Sequence, residues 1–243
     1  MDRYGRLSLG IALACGLVGA TAIGARALVR VKSDDQTIAV TGSAKRRIRS
    51  DLIVWSATVS YKGDTMQGAY KSLAQAVPKV VDYLKQKGIP ADAIQVDSIV
   101  VKTLHPRDNE GREHEDTVSG YTMTQAIEVR SSDVTRVAEV SRAATELINQ
   151  GIMLESAAPE YHYTKLGELK IQMLAEAAKD TKVRAEQIAQ ATGAHLGPLR
   201  SARMGVMQIN PADSTETSSE GNNDTSSLDK DVIAVVTSNF QLE

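Results

Sequence analysis

Polar and apolar residues along this chain fall into blocks of two periods. From Asp51 to Tyr61 the pattern alternates, with Ile53, Trp55, Ala57, Val59 and Tyr61 on one face and Ser56, Thr58 and Ser60 on the other. That is the pattern of a strand with one buried side. Gln36 to Gly42 reads as the strand before it. Asp64 then stands where an N-cap belongs, with Gln67 three residues on as in a capping box, and Met66, Ala69, Leu73, Val77, Val80 and Leu84 follow at helical spacing. Gly88 and Pro90 stop this helix, and Pro78 inside it removes a backbone donor and is expected to kink it. Ile94 to Leu104 returns as a strand, Tyr121 to Arg130 alternates again, and Asp133 caps a second helix that ends at Gly151. Ile152 to Tyr163 is extended, Lys165 to Thr192 is an Ala-rich helix closed by Gly193, and strands follow near Leu199 to Gln208 and Val232 to Leu242.

A succession of strand, capped helix, glycine stop and strand thus runs from Asp51 to Leu104 and again from Tyr121 to Tyr163. This predicts an α+β fold of repeated β-α-β units, with helices packed on a shared, largely antiparallel or mixed sheet and one hydrophobic helix ahead of it.

That leading helix comes from a short basic head, residues 1–6, and an apolar run, residues 7–29, joined by a linker of residues 30–35 to the body, residues 36–243. The uncharged stretch Leu7 to Ala25 spans roughly 28 Å as a helix, close to the thickness of a bilayer core. Two readings stand: an uncleaved signal anchor holding the chain to the inner membrane, or a cleavable signal peptide, for which Ala20-Thr21-Ala22 and Ala25-Arg26-Ala27 are small-residue sites. Both predict export to the periplasm.

Composition narrows the function classes. The chain has 243 residues, 28 Lys+Arg against 30 Asp+Glu, a formal net charge of -2 and 42% hydrophobic residues. This is a foldable composition, and its charge balance argues against a nucleic-acid partner, which needs an excess of cations to neutralise phosphates. Cys15 is the only cysteine and lies in the apolar run, so neither an internal disulfide nor a thiolate metal site is available. Residues 212–229 hold five acids, eight Ser or Thr and no Lys or Arg, a composition expected of a mobile acidic loop between the last two strands.

Candidate chemistry is sparse. His105, His114, His162 and His195 include no pair three or four apart, so the usual zinc spacings are missing. No G-x-S-x-G elbow and no Gly-rich phosphate loop occurs, so no catalytic residue and no cofactor is assigned. The densest set of ligating side chains is the loop His105 to Asp116, where His105, Asp108, Glu110, Glu113 and His114 are weak candidates for a ligand or hard-cation site. Charged loop tips are usually only solvated. Lys45-Arg46-Arg47-Ile48-Arg49 is placed in the turn between the first two strands, as a solvated turn or a polyanion contact. Tyr161 and Tyr163 flank His162 at strand spacing, as core packing or as an aromatic binding strip.

Several segments together resemble the SIMPL-domain family, a group of bacterial exported proteins often described as oxidative-stress-defence or outer-membrane-associated. The likeness rests on Ile38-Ala39-Val40-Thr41-Gly42-Ser43-Ala44, on Asp51 before the strand IVWSATVS, and on Ser119-Gly120-Tyr121 opening SGYTMTQAIEV. It extends to Asp133 at the following cap and to the helix from Ala175 to Gly193 running into LGPL. The resemblance implies a non-enzymatic cell-envelope protein, a homo-oligomer with a structural or protective, oxidative-stress-related role, and carries over no catalytic residue. The alternative is a periplasmic binding module for a small ligand or cation, using the His105 to Asp116 loop or the Tyr161 to Tyr163 face.

Overall fold

A computed structural model describes residues 16–21, 23–25 and 36–242. The leader of residues 7–29 therefore lies largely outside the described residues. Residues 16–21 and 23–25 are helical and exposed, and no helix among the described residues is long and apolar enough to cross a membrane.

The elements run β1 (Thr37–Arg49), β2 (Leu52–Gly63), α1 (Met66–Gln86), β3 (Ile94–Val96), β4 (Val100–Leu104), β5 (Gly120–Ser131), α2 (Val134–Ala143), β6 (Leu154–Ser156), β7 (Glu160–His162), α3 (Leu166–Thr192), β8 (Leu196–Met204), β9 (Gln208–Pro211) and β10 (Asp229–Leu242). They make an α+β fold of helices and antiparallel sheet. There are two sheets where the alternation predicts one shared sheet: β3, β5, β2 and β6 in that order, with β4 on β5 and β7 on β2, and a second in the order β1, β10, β8, with β9 on β10. Periodicity reports which face of a strand is buried but not which strand lies beside it, so the number of sheets was not encoded in it.

The chain divides into two compact units. The larger comprises Arg46–Leu169 and Gln208–Val232. Here β2 pairs antiparallel with β5 over its whole length, from Ile53 opposite Ser131 to Gly63 opposite Tyr121. β3 and β4 pair antiparallel with the far side of β5, and β6 and β7 with the far side of β2. Each β-α-β succession therefore places its two strands parallel with a strand of the other between them, the split β-α-β arrangement. The face of Ile53, Trp55, Ala57 and Val59 is fully buried, under Ala69, Leu73, Val80 and Leu84 of α1 and Val137 of α2. Burying each of the larger of these side chains contributes roughly 1.5–3 kcal/mol. The Trp55 indole N–H donates to Ser156 Oγ at 3.0 Å, so the largest core side chain keeps its polar atom satisfied.

Local details differ from the sequence expectations at several points. Thr65, not Asp64, is the N-cap of α1, its hydroxyl accepting from the Gly68 N–H at 3.1 Å. Asp133 does cap α2, which continues as a 3-10 turn to Gln150 and stops at Gly151 with φ 77°. The stretch Ile94 to Leu104 is two short strands, not one. Residues 45–49 are not a turn: they continue β1, with Ile48 buried and Arg47 bonded to the buried Asp231 and to Asp213, which raises the Arg47 pKa. Residues 212–228 form no helix or strand. Their backbone is bonded by side chains of β9: Gln208 Nε2 donates to the Ser218 carbonyl at 2.7 Å, its Oε1 accepts from the Asn222 N–H at 3.0 Å, and Asn210 Nδ2 donates to the Glu216 carbonyl at 2.6 Å.

The smaller unit comprises Lys170–Met207 and Ile233–Glu243 together with the chain up to Lys45. In α3 the buried positions Met173, Ala177, Thr181, Ala185 and Ala189 recur every fourth residue. Gly42 of β1 meets this stripe so closely that a Cβ there would collide with the Thr181 N and sit 2.7 Å from the Ala177 carbonyl. The neighbouring Ser43 N–H donates to Asp180 Oδ2 at 2.8 Å, and that bond, with Arg184, holds the Asp180 carboxyl below its usual range.

Candidate functional site

The loop between β4 and β5 carries the residues singled out as ligand candidates, and most of their polar atoms are engaged within the loop. Arg107 Nη2 contacts Glu113 Oε1 at 2.6 Å, while Arg112 bonds Asp108 Oδ2 at 3.0 Å and Glu110 Oε2 at 2.6 Å. Asp108 Oδ1 also accepts the backbone N–H groups of Glu110 and Arg112, each at 2.9 Å. The Arg112 bonds hold Asp108 below the ordinary carboxylate range, and Arg107 does the same for Glu113. His105 Nδ1 lies 2.9 Å from the Thr117 carbonyl, and His114 is exposed. Among the described residues no three His, Cys, Asp or Glu side chains gather to hold a metal ion. What the loop assembles is a surface network of ion pairs, each weak in water.

The Tyr161 to Tyr163 segment is placed differently. β7 pairs with the start of β2, Ile53 opposite Tyr161 and Leu52 opposite His162. Asp51 clamps the strand end: its N–H donates to the His162 carbonyl at 3.0 Å, and its carboxylate accepts the Thr164 N–H at 2.7 Å and hydroxyl at 2.8 Å. On the other side the Tyr161 N–H donates to the Thr225 carbonyl at 2.7 Å, and Asp224 N–H to the Ile209 carbonyl at 2.9 Å. The acidic segment is thereby tied to β7 and β9, and the three enclose a cleft of about 110 Å³ within the larger unit. Tyr161, His162, Tyr163, Asn223, Asp224, Thr225 and Lys230 supply its polar lining. Ile48, Leu166 and Ile209 supply apolar wall. All three residues of the Tyr-His-Tyr run line it, each half-buried, and Tyr161 also packs against the hydrophobic core, as the core-packing reading expects.

Lys230 is the residue that motif reading missed. Its side chain is 2% exposed, its Nζ donates to the Asp224 carbonyl oxygen, and the Asp224 carboxylate is 3.5 Å away. Burial pushes the Lys230 amine below its ordinary range, against the pull of Asp224. Burial also opposes the Asp224 charge, but bonds from Ser226 and Ser227 and the ammonium nearby outweigh it and hold that carboxyl low. A signal was present: Lys230 is in phase with Val232, Ala234, Val236, Ser238 and Phe240, the buried face of β10. A lysine on the buried phase of a strand needs a partner or a purpose.

Comparison with known proteins adds a family. Residues 38–240 match SIMPL, described as a protein of unknown function (DUF541). The 26 kDa periplasmic immunogenic protein of Brucella melitensis biotype 1 is 26% identical over 116 residues, 47% of this chain and 46% of that protein. The protein of the same name from Brucella abortus strain S19 matches to the same extent, so the likeness covers about half the length of these relatives. A crystal structure from Burkholderia cenocepacia, described as an amidohydrolase/peptidase, aligns with 49% of this chain and 30% of its own at 12% identity and a TM-score of 0.24. At that score the likeness bears on neither fold nor function.

Proposed function

This chain belongs to the SIMPL family, and on that premise we propose that it is a non-enzymatic binding module of the bacterial cell envelope, exported to the periplasm, which holds a small molecule in the Lys230 cleft. The observation that carries this reading is a buried ammonium set beside a small, mixed polar and apolar cleft. Such a combination of concavity and a few convergent polar groups is the ordinary make-up of a ligand site. Lys230 is engaged by Asp224 as a charged pair, which favours holding a ligand over nucleophilic chemistry. Periplasmic location is supported by the names of the Brucella relatives, which are periplasmic proteins, and by the apolar run of residues 7–29. The test is thermal melting of the full chain with small anions, cations and neutral compounds, followed by hydrogen exchange. A ligand should raise Tm and slow exchange at residues 161–163 and 224–230. If no class of compound does either, the reading fails.

A second reading has its own support. In the sheet β1, β10, β8 the two outer strands each have a side that no strand among the described residues pairs with, and β8 is exposed along most of its length. Open edges of this kind favour pairing with another chain, here a homo-oligomer with a structural or protective role in the envelope, against oxidative stress, held at the inner membrane if the leader is retained. Light scattering of the full chain in mild detergent at two concentrations should give one defined multimer. A monomer at both would leave only the binding module.

A further inference from the structure

We propose that the Lys230 cleft is a site for a small organic carboxylate, its oxygens on Lys230 and the hydroxyl groups around it and its alkyl part on Ile48, Leu166 and Ile209. This rests on the binding-module reading above and names the ligand class.

The argument is one of donors and acceptors. An ammonium has three N–H groups. Lys230 uses one on the Asp224 carbonyl oxygen, and its only other acceptor among the described residues is the Asp224 carboxylate at the long distance of 3.5 Å. That carboxylate is itself well supplied, with the Ser226 N–H at 2.9 Å and the Ser226 hydroxyl at 2.7 Å on Oδ1. The pair is therefore short of acceptors, not of donors. The cleft lining also includes Tyr161, Tyr163, Thr225 and Asn223, and none of these side chains has a hydrogen-bonding partner among the described residues. A buried cation with N–H groups to spare favours an anionic acceptor, and the hydroxyl and amide groups of the lining, which can donate as well as accept, can complete that acceptor's hydrogen bonds.

Size and walls fix the rest. A cavity of about 150 Å³ accommodates benzene, so a cleft of about 110 Å³ holds a guest of roughly four or five non-hydrogen atoms. Ile48 and Ile209 are buried and Leu166 is half-buried, which gives an alkyl stub an apolar seat that an inorganic oxyanion cannot use.

The experiment is titration of the full chain with propionate, propionamide, propylamine and inorganic phosphate, read by calorimetry and by hydrogen exchange at residues 161–163 and 224–230. Propionate is expected to bind in the millimolar range and to protect those residues, with the amide and amine at least tenfold weaker. Lys230→Met should lose tenfold or more of that affinity. Tyr163→Phe and Thr225→Val, which remove one hydroxyl each at nearly constant volume, should each lose several-fold, and they decide the matter should Lys230→Met fail to fold. Equal binding of propionate by a folded Lys230→Met, or phosphate binding as tightly as propionate, overturns the assignment. Protection of the cleft by propionamide or propylamine but not by propionate also overturns it while the binding-module reading survives, and no protection by any compound removes both.

Discussion

Lys230 and Asp224 sit side by side with exposures of 2% and 9%, yet they do not depend on each other equally. Asp224 keeps two bonds from Ser226 whatever happens to the lysine, whereas Lys230 has no other countercharge in contact among the described residues. Removing one partner of a buried pair costs about 3–5 kcal/mol when the other is left uncompensated. Asp224→Ala is therefore expected to lower the unfolding free energy by about 3 kcal/mol, and Lys230→Met, which keeps the shape and removes the charge, by about 1 kcal/mol or less. Urea unfolding of the two variants checks the difference, and equal losses would show that the pair stands or falls as one. The same residues show how far a single side chain can be read in advance. Lys230 could have been flagged from its phase in β10, but its partner lies across a segment whose composition reads only as polar. Nothing in the order Asn223-Asp224-Thr225 says that the chain there turns back against β7 and β9.

Elements were legible where one period dominates and obscure where the chain changes direction. The alternation in β2 and β5 and the stripe of α1 translate directly into the buried face of the larger unit. The cap of α1 does not, because Asp64 and Thr65 are both capping residues and only the backbone decides between them. Thr65 has the extended φ and ψ of an N-cap, -125° and 150°, and its hydroxyl reaches the Gly68 N–H. Thr65→Ala should cost about 1 kcal/mol, and Asp64→Ala should stay within about 0.5 kcal/mol as an ordinary surface change. Paired melts of the two variants distinguish the caps, and the reverse order would restore Asp64. Gly42 is the second case. In the sequence it is one letter of a motif, but β1 and α3 approach so closely there that a methyl group has no room. Gly42→Ala must push the strand off the helix and is expected to cost about 1–3 kcal/mol, as overpacking does. A variant as stable as the parent would mean that the contact is looser than the geometry shows.

Across the whole molecule, charges are nearly balanced in number, 28 Lys+Arg against 30 Asp+Glu, and the informative quantity is where the acids are held. Asp108, Glu113, Asp133 and Asp180 all lie below their ordinary values of 3.8 or 4.5, through bonds from Arg112, Arg107, Arg136 and Ser43 respectively. A carboxyl whose folded pKa is depressed contributes stability above its unfolded pKa and loses it as pH falls through the folded value. The acid limb of the stability curve therefore begins near pH 4.5 and steepens below 3.8, while between about pH 5 and 8 these groups leave stability flat. Lys230 acts with the opposite geometry and the same sign. Its folded pKa is depressed below 10.5, so between the folded and unfolded values the unfolded chain binds more protons and stability rises with pH. Salt should blunt the part of the acid limb that comes from the four surface acids and spare the part from Asp224, which is also held low but is buried, and because Lys230 is buried, salt should leave the alkaline rise intact. Melting curves from pH 2.5 to 10.5 at 20 mM and about 500 mM NaCl separate the two. An alkaline rise that persists in Lys230→Met would assign it to another group, and an acid limb unmoved by salt would place its control at the buried Asp224 and not at the four surface acids.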